Sequence, residues 1–437
     1  MARHIETTEI PITELRIGMY VTKLQVPWSA TPFPLEGVLV ENNEDIIELT
    51  QYGNSLFIDQ SKSLQSTTPS LLENISDQTG VFVGLEESRK KLRSWRKYCN
   101  RKYQIQRPLN KELIRATYLF ERFFKVINAI RRDPEIRSVK NTRELEAVSK
   151  GIVDSIIGHP DALVWLSRVK TCGSAVFDHC LRTAIWASLV GRSMGLIKSA
   201  LQQLNQAILL SGVGKIYLDK KDWQHCDNPD IHPDFAKWSS IALKKLAHSK
   251  IEKKVLIILA NMTERLDGSG FPHQKQGRAI HYLSQIAGLA ETFDLCMYPI
   301  RQNRRRTVGQ SLCRVYWCRD RLFDADLIEE LIQAVGLYPA GSAVELSNGE
   351  KGVVIEESKE RRIRARVIIT HDKAGRFKRK PQVVNLGGRN YREVIIRQES
   401  AELPLNGQQS KCLNKALLRY HFGFIRGTYY QYTGLLQ

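Results

Sequence analysis

The chain has 437 residues, of which 42% are hydrophobic and 25% are charged, and its formal net charge is +19. This length and apolar content exclude a disordered or fibrous protein and predict two or three globular domains. The excess of lysine and arginine favours a polyanionic partner, such as nucleic acid, a dinucleotide or an anionic membrane surface, without choosing among them.

Targeting signals are sparse in this sequence. The longest apolar run, residues 255–260, is too short to span a bilayer, and residues 1–6 lack the apolar core of a signal peptide. The eight cysteines are scattered and form no Cys-x-x-Cys pair, which favours free thiols over zinc ligands. These features predict a cytoplasmic protein without a transmembrane segment.

The first 65 residues alternate short apolar runs with turn residues. Strands are predicted at 15–21, 37–40 and 55–59, and residues 28–34 form a proline-rich loop. The pattern indicates a small β-rich domain over residues 1–65.

A basic connector follows over residues 66–109. Nine lysines and arginines fall within residues 89–107, and Trp95, Tyr98 and Tyr103 are interleaved with them. Such a stretch could bind single-stranded nucleic acid by stacking and phosphate contacts. The alternative is a solvated linker, which is what a run of charge usually indicates.

Helical periodicity dominates residues 110–336. Apolar residues recur on one face, as at 145, 148, 152 and 156 and again at 181, 185 and 189. Gly195 can end one helix and Ser199 can cap the next. Because strand-like alternation is nearly absent, this part of the chain predicts an all-helical bundle.

The pattern changes after Pro339. Short strands are predicted at 342–346, 352–356, 364–370 and 393–396. Asn348 and Gly349 between the first two strands are typical of a hairpin turn. A small β domain is therefore predicted over residues 337–400, followed by an unassigned tail at 401–437.

The segment at 264–272 is the most informative motif and reads Glu-Arg-Leu-Asp-Gly-Ser-Gly-Phe-Pro. Its glycines and proline predict a tight loop after a helix. It resembles the H-H-E-x-W-D-G-x-G-Y-P signature of the HD-GYP family, the bacterial phosphodiesterases of cyclic di-GMP. Residues 15–21, with the Pro-Trp and Thr-Pro-Phe that follow, also resemble a domain that often precedes HD-GYP domains. The resemblance implies a multidomain protein, with an all-α HD-like bundle between a small N-terminal β-rich domain and a small C-terminal β domain.

The resemblance also implies a metal site, whose ligand positions can be compared one by one. His179 matches the family's first histidine, and Glu291 stands where the last aspartate belongs. His232 is a further candidate in a His-Pro pair, although the spacing favours Ala236 or Lys237 for that position. Without partners, His179 would be an inert, hydrogen-bonded residue of a buried helix face.

Four ligand positions are replaced by residues that do not match the family. The His-Asp pair corresponds to Ser211 and Gly212, and the double histidine before the loop corresponds to Met262 and Thr263. We therefore expect no catalytic residues and no cofactor, and enzymatic activity is not expected. If an ion binds, divalent iron or manganese suits the remaining imidazole and carboxylate.

Residues near the retained motifs are candidates for ligand binding, and they are Lys215, Arg265, Asp267, Arg301 and Arg305. The arginines around 301–306 could contact phosphates, or they could lie on a solvated loop. The resemblance implies cyclic di-GMP as a possible ligand and a diguanylate cyclase-type protein as a possible partner. The predicted function is a degenerate HD-GYP protein that acts as a regulatory or interaction module in cyclic di-GMP signalling.

Two other functions stay open at this point. One is an active phosphodiesterase with an altered metal site formed by His179, His232 and Glu291. The other is a nucleic-acid-binding protein that uses residues 89–107, whose binding would weaken steeply with salt.

Overall fold

The computed structural model describes residues 7–15, 19–25, 38–40, 49–53, 55–59, 102–132, 139–169, 172–300, 305–356, 365–388, 391, 393–400 and 407–422. The chain divides into two compact units, Met1–Arg93 and Ser94–Gln437. Most of the predicted basic stretch, residues 89–101, lies outside the described residues.

The first unit contains a four-stranded antiparallel sheet. Its strands are β1 (Thr7–Pro11), β2 (Tyr20–Leu24), β3 (Val38–Leu39) and β4 (Ser55–Asp59), in the order β1-β4-β2-β3. The strand predicted at 15–21 begins later, because residues 12–14 form a 3-10 turn and Leu15 packs into the core directly after it. Apolar spacing does not distinguish a buried turn residue from a strand residue.

The second unit begins with a helical bundle. Its helices are α1 (Leu109–Arg132), α2 (Val139–Gly158), α3 (Pro160–Val169), α4 (Ala175–Ser193), α5 (Lys198–Lys215), α6 (Pro233–Ala236), α7 (Trp238–Leu246), α8 (Lys253–Ala260), α9 (Tyr282–Met297), α10 (Val308–Tyr316) and α11 (Ala325–Val335). None of the helices in the described part of the chain is long and apolar enough to cross a membrane.

Helices α4, α5 and α9 form the centre of the bundle. Buried residues account for 14 of the 16 positions of α9, so this helix has almost no solvent face. Helix α11, in contrast, buries one stripe only, as expected of a surface helix. The polar residues that α4, α5 and α9 carry must therefore find partners within the protein.

Glycine allows α5 to approach α7 closely. A Cβ on Gly214 would lie 2.1 Å from the backbone oxygen of Trp238. Because α5 ends at Lys215, this contact fixes the depth at which the Lys215 side chain enters the bundle.

A five-stranded antiparallel sheet follows the bundle. Its strands are β5 (Ala343–Leu346), β6 (Lys351–Glu356), β7 (Arg366–His371), β8 (Phe377–Asn385) and β9 (Ile396–Ser400), in the order β8-β7-β6-β5-β9. Asn348 and Gly349 lie in the turn between β5 and β6, as predicted. The edge strand β8 was missed, because its charged residues and Pro381 are typical of a sheet edge and weaken the apolar signal.

Helix α12 (Gly407–Phe422) lies in the tail that the sequence left unassigned. Leu413 and Leu417 belong to the core of the bundle, and residues of β6 and β7 share that core. Two buried leucines in a basic, polar segment give too weak a periodicity to predict a helix. The helix is therefore stabilised mainly by the packing of α12 against the core.

Candidate functional site

The centre of the bundle contains a buried histidine held by a carboxylate. His179 on α4 and Asp294 on α9 are both fully buried, and His179 Nδ1 lies 2.7 Å from Asp294 Oδ2. Arg182 donates to both oxygens of the same carboxylate at 2.8 and 3.0 Å, and Trp186 Nε1 donates at 3.1 Å. The three partners are spaced three and four residues apart on α4, so they share one helix face.

The electrostatics of this cluster favour an ionised carboxylate. Burial alone would raise the pKa of Asp294, but Arg182 and His179 outweigh it and hold that pKa below its ordinary value. An ionised carboxylate only accepts hydrogen bonds, so the proton of a neutral His179 sits on Nδ1. The Nε2 lone pair of His179 therefore points away from Asp294 and is free to accept.

Lys215 is the partner on that side. Its Nζ lies 3.2 Å from His179 Nε2 and forms an ion pair with Glu291, and it stands 4.7 Å from the centre of the Trp238 ring. His179 Nε2 and Glu291 Oε1 are 3.7 Å apart, and the side chains of all three are at most 1% exposed. Burial alone would raise the pKa of Glu291, but the adjacent Lys215 ammonium outweighs it and holds that pKa at about 2.

The two positions of the family's His-Asp pair hold residues engaged elsewhere. Ser211 Oγ donates to the Ile208 carbonyl oxygen at 2.6 Å and lies 3.6 Å from Cys180 Sγ. A Cβ on Gly212 would lie 2.6 Å from the Phe177 ring. The packing therefore leaves no room at residue 212 for a carboxylate side chain.

The two positions before the loop are equally unsuited to a metal. Met262 is fully buried in the apolar core of the bundle. Thr263 donates its hydroxyl hydrogen to the Phe271 carbonyl oxygen at 2.7 Å. Neither side chain supplies the imidazole nitrogen that the family has there.

The retained loop residues have structural partners. The carboxylate of Glu264 accepts from the backbone N–H groups of His273 and Lys275 at 2.8 and 2.9 Å. Asp267 accepts from the backbone and the hydroxyl of Ser269. A Cβ on Gly270 would lie 2.4 Å from the backbone of residues 264 and 265, so glycine is needed for this close approach.

Arg265 is internal as well. Its guanidinium donates to the carbonyl oxygens of Met262 and Glu264 and to Thr292 Oγ1, and it stacks on the Phe323 ring at 4.8 Å. Burial lowers its pKa to about 10. Lys215 and Arg265 are therefore both directed at protein partners, although the sequence suggested them as ligand-binding residues.

The remaining predicted residues lie elsewhere. His232 caps α6, where its Nδ1 accepts from the backbone N–H of Asp234, and its side chain is 45% exposed. Arg305 is exposed beside Tyr298, and Arg301 lies outside the described residues. The structure thus brings together His179, Glu291 and Lys215, and gives His232 a surface position.

Sequence reasoning missed Asp294, Arg182 and Trp186. The available signal was helical spacing, since Arg182 follows His179 by three residues and Asp294 follows Glu291 by three. An ionisable residue one helical turn from a candidate ligand is a candidate for orienting it.

A second group of donors lies apart from this centre. Ligand atoms of His159, Asp161 and Glu356, at the α2–α3 junction and the end of β6, all lie within 4.8 Å of one another. Arg366 donates to the Glu356 carboxylate at 2.8 Å, and this guanidinium opposes a further cation there.

Comparisons with known proteins agree with the predicted family. Residues 7–144 match the model described as a domain of unknown function, DUF3391, and residues 164–327 match the model described as an HD domain.

The cyclic di-GMP phosphodiesterase PA4108 of Pseudomonas aeruginosa is 23% identical over 404 residues, which cover 90% of this chain and 92% of that protein. The cyclic di-GMP phosphodiesterase PdeB of Borreliella burgdorferi is 25% identical over 187 residues, covering 41% of this chain and 48% of PdeB. Among solved structures, Bd1817, a HDG"Y"P protein from Bdellovibrio bacteriovorus, superposes with a TM-score of 0.43 at 12% identity, covering 75% of this chain and 99% of that one.

Proposed function

We propose that this chain, in which residues 164–327 match an HD domain and residues 7–144 match DUF3391, is a catalytically inactive HD-GYP-type relative of cyclic di-GMP phosphodiesterases. In this proposal it acts as a regulatory or interaction module in bacterial cyclic di-GMP signalling. The observation that supports this most directly is the donor set of the buried centre, which does not fit a divalent metal ion.

The fit can be judged from the donors themselves. Phosphodiester hydrolysis in such a centre needs a metal ion with several imidazole and carboxylate ligands. Here one imidazole nitrogen, on His179, meets one carboxylate, on Glu291, and the Lys215 ammonium already contacts both. Hydrolysis by the metal-dependent route of the family is therefore not expected.

Charge in the centre supports the same conclusion. The cations Lys215 and Arg182 face the carboxylates of Glu291 and Asp294, so two positive charges balance two negative ones. A divalent ion added to these contacts would leave an excess of buried positive charge, which is strongly unfavourable.

The two relatives act on cyclic di-GMP according to their names, which makes the dinucleotide the natural ligand to test. Lys215 and Arg265 belong to the retained motifs, and both have protein partners: Lys215 Nζ contacts His179, and both Nη groups of Arg265 donate within the protein. The proposal therefore favours action through a protein partner, such as a diguanylate cyclase-type protein, over capture of the dinucleotide by these two residues.

Hydrolysis is the first test. The purified chain is incubated with cyclic di-GMP and Mn²⁺ or Fe²⁺, and the linear dinucleotide and GMP are measured by chromatography, with the Pseudomonas relative as positive control. We expect no turnover above the protein-free blank. Turnover that disappears in His179→Ala contradicts the proposal.

A cellular experiment tests the signalling role. Deleting the gene is expected to change the intracellular level of cyclic di-GMP, and the wild-type gene restores it. A folded His179→Gln variant, verified by thermal unfolding, is expected to restore it equally, because the role does not use catalysis. An unchanged level in the deletion strain would refute the regulatory role.

A further inference from the structure

The last residue of α5, Lys215, contacts an imidazole nitrogen and a carboxylate oxygen, two atom types that commonly bind metal ions. We infer that the Lys215 ammonium is a built-in substitute for a divalent cation, so that His179 and Glu291 form a latent metal site closed by a lysine. This inference concerns the cation that the centre contains, and it holds whichever partner the proposed signalling role uses.

The geometry of the two donors is that of a shared cation. His179 Nε2 and Glu291 Oε1 are 3.7 Å apart. Two ligands of a tetrahedral metal with bonds of about 2.1 Å stand about 3.4 Å apart, so a small relaxation would let one ion contact both. Lys215 Nζ contacts both donors, at 3.2 Å from the nitrogen and in an ion pair with the carboxylate.

The surroundings of His179 fit the same interpretation. Histidines that bind metals usually donate their other N–H to a carboxylate, which fixes the tautomer and the ring orientation. Asp294 has this position at His179 Nδ1, and Arg182 and Trp186 hold Asp294 in turn. The centre thus keeps the outer partners of a metal ligand while a lysine supplies the charge.

Because Lys215 is buried, its ammonium group must be stabilised by specific partners. Lys215 is fully buried, and an ammonium in that position is stable only with acceptors and negative charge close by. Its partners are the His179 lone pair, the Glu291 carboxylate and the face of the Trp238 ring. Removing the ammonium leaves Glu291 buried without its counter-charge, so the stabilities conferred by Lys215 and Glu291 should depend on each other.

The first experiment is a double-mutant cycle read by thermal unfolding. Lys215→Met keeps most of the side-chain volume and removes the charge, and we expect it to lower Tm by about 6–12 °C. Adding Glu291→Gln removes the unpaired carboxylate and is expected to recover at least half of that loss. Equal Tm values for Lys215→Met and for the variant that also carries Glu291→Gln would overturn the inference.

A matched lysine serves as control. Lys237 pairs with Asp222 at 2.7 Å, but its side chain is 41% exposed. Lys237→Met is therefore expected to change Tm by much less than Lys215→Met, since solvent screens exposed pairs. Similar losses in the two variants would show that the Lys215 contact has no special role.

The second experiment asks whether the site accepts a metal when the lysine is replaced. Lys215→His would add an imidazole to His179 and Glu291, giving a two-histidine, one-carboxylate set that suits divalent iron, manganese or cobalt. We expect Co²⁺ to raise the Tm of this variant and to develop visible absorption, and both effects to vanish when Glu291→Gln is added. The wild type is expected to show neither effect.

The outcomes separate this inference from the proposed function. A wild-type protein that retains stoichiometric metal on purification overturns the inference, whatever the cellular result. A failed complementation experiment with an intact Lys215–Glu291 coupling overturns the signalling role and leaves the inference standing. If Lys215→His does not fold, the wild-type metal titration and the double-mutant cycle still decide the question.

Discussion

Replacing Asp294 by asparagine removes one negative charge from the middle of the bundle with almost no change in volume. The wild-type carboxylate accepts hydrogen bonds from His179 Nδ1, from Arg182 Nε and Nη2, and from Trp186 Nε1. Asparagine can keep the contacts of Oδ1 with Arg182 and Trp186. Its amide group would place donors against the donors of His179 and Arg182.

The size of the effect follows from burial. Asp294 is fully buried and the Arg182 side chain is 12% exposed, so the guanidinium loses its counter-charge where water cannot replace it. Removing one partner of a buried pair costs about 3–5 kcal/mol, and the contacts that asparagine keeps favour the lower end, about 3 kcal/mol. In a domain of this size, that free energy corresponds to a Tm decrease of about 6–12 °C.

The stability lost in Asp294→Asn should decrease as the pH is lowered. The folded-state pKa of Asp294 is lowered, so its stabilisation is present above the unfolded-state pKa of 3.8 and is lost as the pH falls below that value. The difference in unfolding free energy between wild type and Asp294→Asn is therefore expected to be largest near pH 7 and to narrow below about pH 4.

Urea unfolding at pH 7 and at pH 4 and below measures this difference. The control is Glu144→Gln, which breaks a pair with Arg122 whose side chains are 39% and 48% exposed. That variant is expected to lose less than about 1 kcal/mol at either pH. An Asp294→Asn variant as stable as Glu144→Gln, or one whose loss grows in acid, would refute the reasoning.

Three further predictions concern a glycine of α5, the cap of α11 and a carboxylate of β9. Gly214→Ala is expected to cost about 1–3 kcal/mol in urea unfolding, because its Cβ would meet the Trp238 carbonyl oxygen, whereas Gly309→Ala, with open space around it, should gain about 0.5–1 kcal/mol. Burial and Asp326 raise the pKa of Asp324, the cap of α11, to about 6. Ionisation of this carboxyl therefore destabilises the folded state as the pH rises above the unfolded-state value of 3.8. Asp324→Asn keeps the cap and is expected to add about 1–2 kcal/mol at pH 7, and nothing at pH 3 where the wild-type carboxyl is neutral; a loss at pH 7 would contradict this. Glu399→Ala removes the acceptor for Val308 N and Ser342 Oγ beside Arg168, and a fall of about 2–4 kcal/mol is expected, with unchanged stability as the contrary result.

The family resemblance and the helical core were accessible from the sequence, and the comparisons confirm the resemblance first seen at residues 264–272. A loop with Gly268, Gly270 and Pro272 at fixed spacing constrains the backbone locally, so its signature survives without any tertiary information. The residue types at the positions that match the family's metal ligands were accessible in the same way. Gly212 has no side chain, and Met262 has no ring nitrogen, whatever fold surrounds them.

The tertiary structure alone decided the role of Lys215. The sequence presented it as a retained basic residue and a candidate for ligand binding, but it contacts His179, 36 residues earlier, and Glu291, 76 residues later. Asp294 went unnoticed for the same reason, since its partners lie on α4. Residue type and local periodicity determine which helices form and which donors exist. Which charges meet inside the bundle depends on how α4, α5 and α9 pack, because buried charges require partners from whichever elements are adjacent.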